Sequence, residues 1–147
     1  IPGVKKTAVG YIGGHVDNPT YKQVCTGTTN HAEGVRIWFD PRVVTFRELI
    51  SVFWERHDST TLNRQGNDKG TQYRSAVFYH NDKQREIAEE TKAEVAKRVD
   101  AGKEVVTQIV DATPHKWWEA ENYHQQYLEK GGQTAAKGST EHIRCYG

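Results

Sequence analysis

No methionine occurs in the 147 residues, cysteine appears only twice, and no apolar run approaches the roughly 20 residues that a membrane-spanning helix needs. Each shortage excludes something. A helical membrane span is ruled out by the hydropathy alone. Two cysteines, Cys25 and Cys145, are too few for the disulfide framework of a small stapled domain, and they make neither a CxxC pair nor a zinc-finger spacing. An excess of one charge is also missing. Lysine and arginine number 20 against 19 acidic residues, so neither nucleic acid nor an anionic membrane is an expected partner. No basic segment leading into an apolar stretch marks a signal peptide. Because the chain lacks Met and opens Ile1-Pro2-Gly3, it is expected to be cut from a longer product, with the cytoplasm as the expected compartment.

What is present suits one globular domain over residues 1–147, with enough length for a real core and no room for a second. Val4 to Ile12 reads as a strand ended by Gly13-Gly14. Asn18-Pro19 has the pattern of an N-cap with proline at the first helical position, opening a short helix to Cys25 that Gly27 ends. Val35, Ile37 and Phe39 alternate as the apolar face of a second strand. Thr45 and Glu48 have capping-box spacing and open a helix with Leu49, Val52 and Phe53 on one face. Residues 57–72 form a long polar stretch, which in a compact domain is either disordered or functional. Ala76–Tyr79 reads as a strand and Asn81 or Asp82 caps a charged helix reaching about Val99. Val105–Val110 is a further strand, and a helix over 119–129 precedes a Gly-rich tail, 131–147, expected to be mobile. Strands and helices interleave without a strict βαβ rhythm, so the expected class is α+β, a two-layer sandwich of sheet and flanking helices. A helix-rich architecture is the alternative.

Four residues stand out in turn-rich segments: Tyr21, Glu33, Asp68 and Tyr73. If Val35, Ile37 and Phe39 face the core, Glu33 shares their parity and points inward. A desolvated carboxyl has its pKa raised toward that of a general acid. A structural carboxylate paired with Arg36 explains the same pattern, and both readings stay open. Taken singly, Tyr21 and Tyr73 fit half-buried core tyrosines with satisfied hydroxyls. Asp68, within Gln65-Gly-Asn-Asp-Lys-Gly70, fits a turn residue bonding its own backbone. Cys145 on its Gly-rich tail is placed to swing toward a partner sulfur, as a resolving thiol does. His31, His57, His115, His124 and His142 match no metal-ligand template.

Read in order, the segments resemble one family. Gly10-Tyr-Ile-Gly-Gly14, Asn18-Pro-Thr-Tyr21, Val24-Cys-Thr-Gly27, His31-Ala-Glu33, Phe53-Trp54 with His57-Asp58, Arg64-Gln-Gly-Asn-Asp68, Gly70-Thr-Gln-Tyr-Arg-Ser75, and Ala120-Glu121 with Tyr123-His-Gln-Gln-Tyr-Leu128 are similar to the A-type methionine sulfoxide reductases. The resemblance spans nearly the whole chain, in the family's order. It implies a mixed central sheet and thiol-dependent reduction of the S epimer of methionine sulfoxide, free or in proteins. It makes Glu33 the acid that protonates the sulfoxide oxygen, Tyr21 and Tyr73 the hydroxyls that bond that oxygen, and Asp68 an organiser of the site. Cys145 becomes the recycling cysteine, and Cys25 a buried structural thiol. No metal or organic cofactor is implied, thioredoxin or another dithiol is the implied reductant, and the chain is expected to be a monomer.

One family feature does not match. The nucleophilic cysteine lies in a Gly-Cys-Phe-Trp motif, which the resemblance places upstream of Ile1. The 147 residues alone are therefore expected to be inactive. Two other classes remain: a module that binds oxidised methionine without reducing it, and a metal-dependent hydrolase using His31, Glu33, His57 and Asp58.

Overall fold

A computed structural model describes residues 1–121 of the chain. The longest pairing in it is antiparallel, between β1 (Val4–Ile12) and β2 (Ala32–Phe39). Alternation along both strands gives them two distinct faces. Thr7, Val9 and Tyr11 stand opposite Ile37, Val35 and Glu33, and Gly10 stands opposite Gly34. The other edge of β1 pairs with a short strand at Trp118–Glu119, giving an antiparallel sheet of order β2-β1-β7. Glu119 is therefore extended, where the sequence suggests the start of a helix. Most of that expected helix lies outside the described residues, as does the tail with Cys145.

The connection from β1 to β2 carries α1 (Tyr21–Cys25). Its N-cap is Thr20 and not Asn18. The Thr20 side chain accepts from the Gln23 amide, and the Gln23 side chain returns the bond. Asn18 instead sits at φ 49°, a left-handed conformation asparagine tolerates. His31 locks the loop to the sheet. Its Nδ1 accepts from the Gly14 amide at 3.0 Å, so the ring proton lies on Nε2, which donates to the Val16 carbonyl at 2.7 Å. Gly14 has to be glycine. A Cβ there would come 2.6 Å from the His31 ring and press on the Thr29 carbonyl oxygen.

α2 (Phe46–Arg56) opens with the capping box that Thr45 and Glu48 predict. Ile50 is its buried residue, flanked by half-buried Phe46, Leu49, Phe53 and Trp54. Val52 turns outward, because it lies off the stripe that these residues make at helical spacing. α3 (Asp82–Ala96), capped by Asn81, packs on α2. Trp54 Nε1 donates to Thr91 Oγ1 at 2.9 Å across that interface. α3 also connects β5 (Ala76–Tyr79) to β6 (Gln108–Asp111), which run parallel with Ala76 opposite Gln108. Between α2 and β5, the polar stretch is ordered as a tight hairpin, β3 (Arg64–Gln65) with β4 (Asp68–Lys69), followed by a 3-10 turn, η1 (Thr71–Tyr73). The α+β class holds, with antiparallel and parallel pairings in separate sheets among the described residues. Within the described residues no helix is long and apolar enough to cross a membrane.

Candidate active site

Glu33 is the second residue of β2, directly across from Tyr11. The parity argument puts it on the same face as Val35 and Ile37, and that much is right. The premise fails, however, since Val35 is 59% exposed and Ile37 40%. The middle of this strand faces outward. Glu33 is enclosed for a different reason: η1 packs against β2, and β4 packs against η1. The polar stretch that hydropathy marks as a loop thus covers the end of the sheet, and Glu33 Oε2 is fully buried beneath it.

Enclosure changes the chemistry of this carboxyl. Loss of hydration, with a smaller contribution from the negative charge of Asp68, pushes the Glu33 pKa from 4.5 up to about 8. At neutral pH it carries a proton. Asp68 begins β4 and is 9% exposed, and Tyr73 ends η1 at 5%. Burial so deep distinguishes both from the turn residue and half-buried tyrosine that they resemble when taken singly. Glu33, Asp68 and Tyr73 are therefore brought into one region by β2, β4 and η1.

Tyr21 is held by different means. It is the first residue of α1, and its backbone amide donates to Glu121 Oε1 at 2.8 Å, spanning 100 positions of sequence. Glu121 follows β7, whose Trp118 pairs with Tyr11, the cross-strand neighbour of Glu33. Tyr11, Val24 and Ala120 form the buried apolar cluster beneath this end of the sheet. Glu121 is a residue that sequence reasoning missed as a positioning group. Its place in the Ala120-Glu121 pair was visible, but its partner a hundred residues away was not.

A second missed network supports the segment that carries Tyr73. His57 Nδ1–H donates to the Phe53 carbonyl, and Nε2 accepts from Ser75 Oγ at 2.6 Å. Ser75 Oγ is 2.7 Å from Thr107 Oγ1, and the Thr107 carbonyl accepts from Lys92 Nζ at 2.8 Å. Burial lowers the His57 pKa, favouring the neutral ring this pattern requires. Both ring nitrogens of His57 and both of His31 are thus committed to structural hydrogen bonds, which removes the basis of a hydrolase site at His31, Glu33, His57 and Asp58. Among the described residues no three His, Cys, Asp or Glu side chains are grouped to hold a metal ion. Cys25, at the end of α1, is half-buried, where a buried thiol is expected.

Comparison with known proteins gives this arrangement a context. A family model described as peptide methionine sulfoxide reductase matches residues 1–144. The peptide methionine sulfoxide reductase of Brassica napus is 53% identical over 152 aligned positions, covering all of this chain and 58% of that protein. The chloroplastic peptide methionine sulfoxide reductase A4 of Arabidopsis thaliana is 54% identical, again over the whole chain and 57% of its own length. The chain thus spans somewhat over half the length of these two relatives. Among solved structures, the reduced form of Mxr1 from Saccharomyces cerevisiae superposes with a TM-score of 0.82 at 36% identity, covering 97% of this chain and 79% of that one. Methionine sulfoxide reductase A of Corynebacterium diphtheriae gives 0.76 at 41% identity, over 88% and 65% of the two chains. With the match running from residue 1 to residue 144 and the same fold in solved A-type relatives, the chain belongs to the peptide methionine sulfoxide reductase family, in its A type.

Proposed function

We propose that this chain supplies the acid and the hydrogen-bonding half of a site that reduces the S epimer of methionine sulfoxide, free or in proteins. One observation carries the proposal: the Glu33 carboxyl is buried and holds its proton at neutral pH. A sulfoxide oxygen is a poor leaving group until it is protonated. A neutral carboxylic acid at hand can deliver that proton as a thiolate attacks the sulfur. The phenols of Tyr21 and Tyr73 are suited to donate hydrogen bonds to the same oxygen as charge develops on it. Burial is then what keeps Glu33 protonated between turnovers, with the charge of Asp68 adding to it.

The attacking thiolate, in this scheme, comes from outside the 147 residues. Attack forms an S–S bond to the sulfoxide sulfur as Glu33 gives its proton to the oxygen; that S–S bond and the substrate S–O bond then break as the hydroxyl passes to the cysteine sulfur. The products are a thioether (methionine) and a cysteine sulfenic acid. Cys145 condenses with the sulfenic acid, releasing water and forming a disulfide. A dithiol such as thioredoxin reduces that disulfide by exchange and leaves oxidised. No step requires a metal or an organic cofactor.

The test uses the whole reductase that contains this chain. Glu33→Gln keeps the shape of the side chain but has no acidic proton, and should lower turnover of methyl p-tolyl sulfoxide by about 10²–10⁴-fold, the usual worth of a positioned acid. Binding of the sulfoxide should persist. Unchanged turnover would remove Glu33 from the reaction, and binding without any turnover in the unaltered protein would favour a recognition module.

A further inference from the structure

Apart from the Glu33 region, a cavity of about 320 Å³ opens where the β1–β2 loop, η1 and the β5–β6 pair meet. That volume is at the small end for a ligand site. Arg74, His115, Gln108, Asn30 and Asn63 line it, and among the described residues no carboxylate does. Arg74 is half-buried, yet among the described residues its guanidinium makes a single hydrogen bond, from Nη1 to the Thr71 carbonyl at 2.8 Å, and no ion pair. Burial alone depresses its pKa, with no acidic neighbour acting the other way. A cation withdrawn from water without a counter-charge is costly. Thr71, also in the lining, has a buried hydroxyl with no hydrogen-bond partner.

The guanidinium is nonetheless held firmly. Gly13 sits at φ 88°, and a Cβ there would come 3.1 Å from Arg74 Nη2 and 3.0 Å from the Phe78 ring. A side chain at position 13 would crowd both the guanidinium and the Phe78 ring. Phe78 in turn packs edge-to-face on His115, at 5.9 Å between ring centres, which sets the orientation of the imidazole. Asn30 and Asn63, both left-handed at φ 58° and 48°, form part of the wall. A fixed cation, an imidazole and three amides around an apolar ring make a lining of donors without a matching acid.

We propose that this cavity is a second binding site, for a small oxyanion (a carboxylate or a phosphate group), with Arg74 as its charge partner and His115, Gln108, Asn30 and Asn63 as hydrogen-bonding groups. Charge-assisted bonds from a guanidinium to such oxygens are among the strong ones in proteins. The proposal is independent of the role given to Glu33.

The test is a titration of the full chain with sodium phosphate and, separately, with sodium benzoate, at constant ionic strength set by chloride. The amide of Gly13 and the Nε–H of Arg74 are followed by ¹H–¹⁵N NMR. Saturable shifts at these two groups are expected with at least one probe. Phosphate alone would assign a phosphate group, benzoate alone a carboxylate, and both a general oxyanion site. Arg74→Gln should weaken binding by about tenfold or more, as for loss of one charge-assisted hydrogen bond. Should that variant fail to fold, His115→Gln, which keeps the arginine, should weaken binding severalfold. Linear shifts no larger than those from chloride would overturn the proposal, as would saturable binding left unchanged in the folded variants.

Discussion

Glu33→Gln should make the folded protein more stable at neutral pH, although Glu33 is proposed to act in the reaction. Holding the carboxyl at a pKa of about 8 against 4.5 in the unfolded chain corresponds to roughly 4–5 kcal/mol of opposition to ionising it in place. The folded-state pKa is the raised one. Its contribution to stability is therefore fully present below pH 4.5, falls by about 1.4 kcal/mol per pH unit as the unfolded chain ionises and the folded chain does not, and is lost once pH passes 8. Glutamine has no proton to lose and should not share this fall. Urea unfolding of both forms between pH 4.5 and 8.5, at matched slopes, isolates the effect, because every other titrating group is common to the two. The variant should match the parent near pH 4.5 and exceed it by about 3 kcal/mol at pH 7, an order-of-magnitude figure from the same linkage. A difference that stays flat with pH would mean that the carboxyl ionises freely in the folded state.

Glu121→Gln should loosen the start of α1, since a carboxylate acceptor for the Tyr21 amide becomes a neutral one. A loss of about 1–2 kcal/mol is expected, the scale of a hydrogen bond to a charged group, measurable by thermal unfolding, with faster amide exchange at Tyr21 as the local sign. Ser75→Ala leaves His57 Nε2 without its donor in a buried setting and should cost about 1–3 kcal/mol; no loss would mean that the network is incidental. His57 has a depressed pKa, so the stability it contributes is present above pH 6.5 and lost as pH falls below that value. Ser75→Ala should weaken that acid-side loss, and an unchanged profile would count against it. Gly14→Ala forces a methyl into His31 and the Thr29 carbonyl and should destabilise by about 1–3 kcal/mol, the usual cost of overpacking.

Local signals in the sequence were sound where the chemistry was local. The Thr45–Glu48 capping box, the strand over Val4–Ile12 and the left-handed stop at Gly27 all form as their residues dictate. Errors arose where long-range packing decides. Val35 and Ile37 look like core residues by alternation, but β2 lies at the edge of its sheet in the described residues and they face outward. Glu119 opens the helix expected over 119–129, yet β1 offers an edge that pairs Trp118–Glu119 as strand among the described residues. Asn18 lost the helix cap to Thr20 because Thr20 and Gln23 have the spacing of a reciprocal capping box. The site was legible in a similar way. Glu33 could be nominated from parity, but the cover that makes it an acid comes from the 57–72 stretch, whose polarity gives no hint of an ordered hairpin. The links from Tyr21 to Glu121 and from Ser75 to His57 join segments that no spacing rule connects.

The most direct test is a carboxyl ¹³C NMR titration of Glu33 in the folded chain. The resonance should keep the shift of a protonated acid through pH 7 and turn over near pH 8. A midpoint near 4.5 would place an ordinary carboxylate at position 33 and leave the sulfoxide oxygen without its proton.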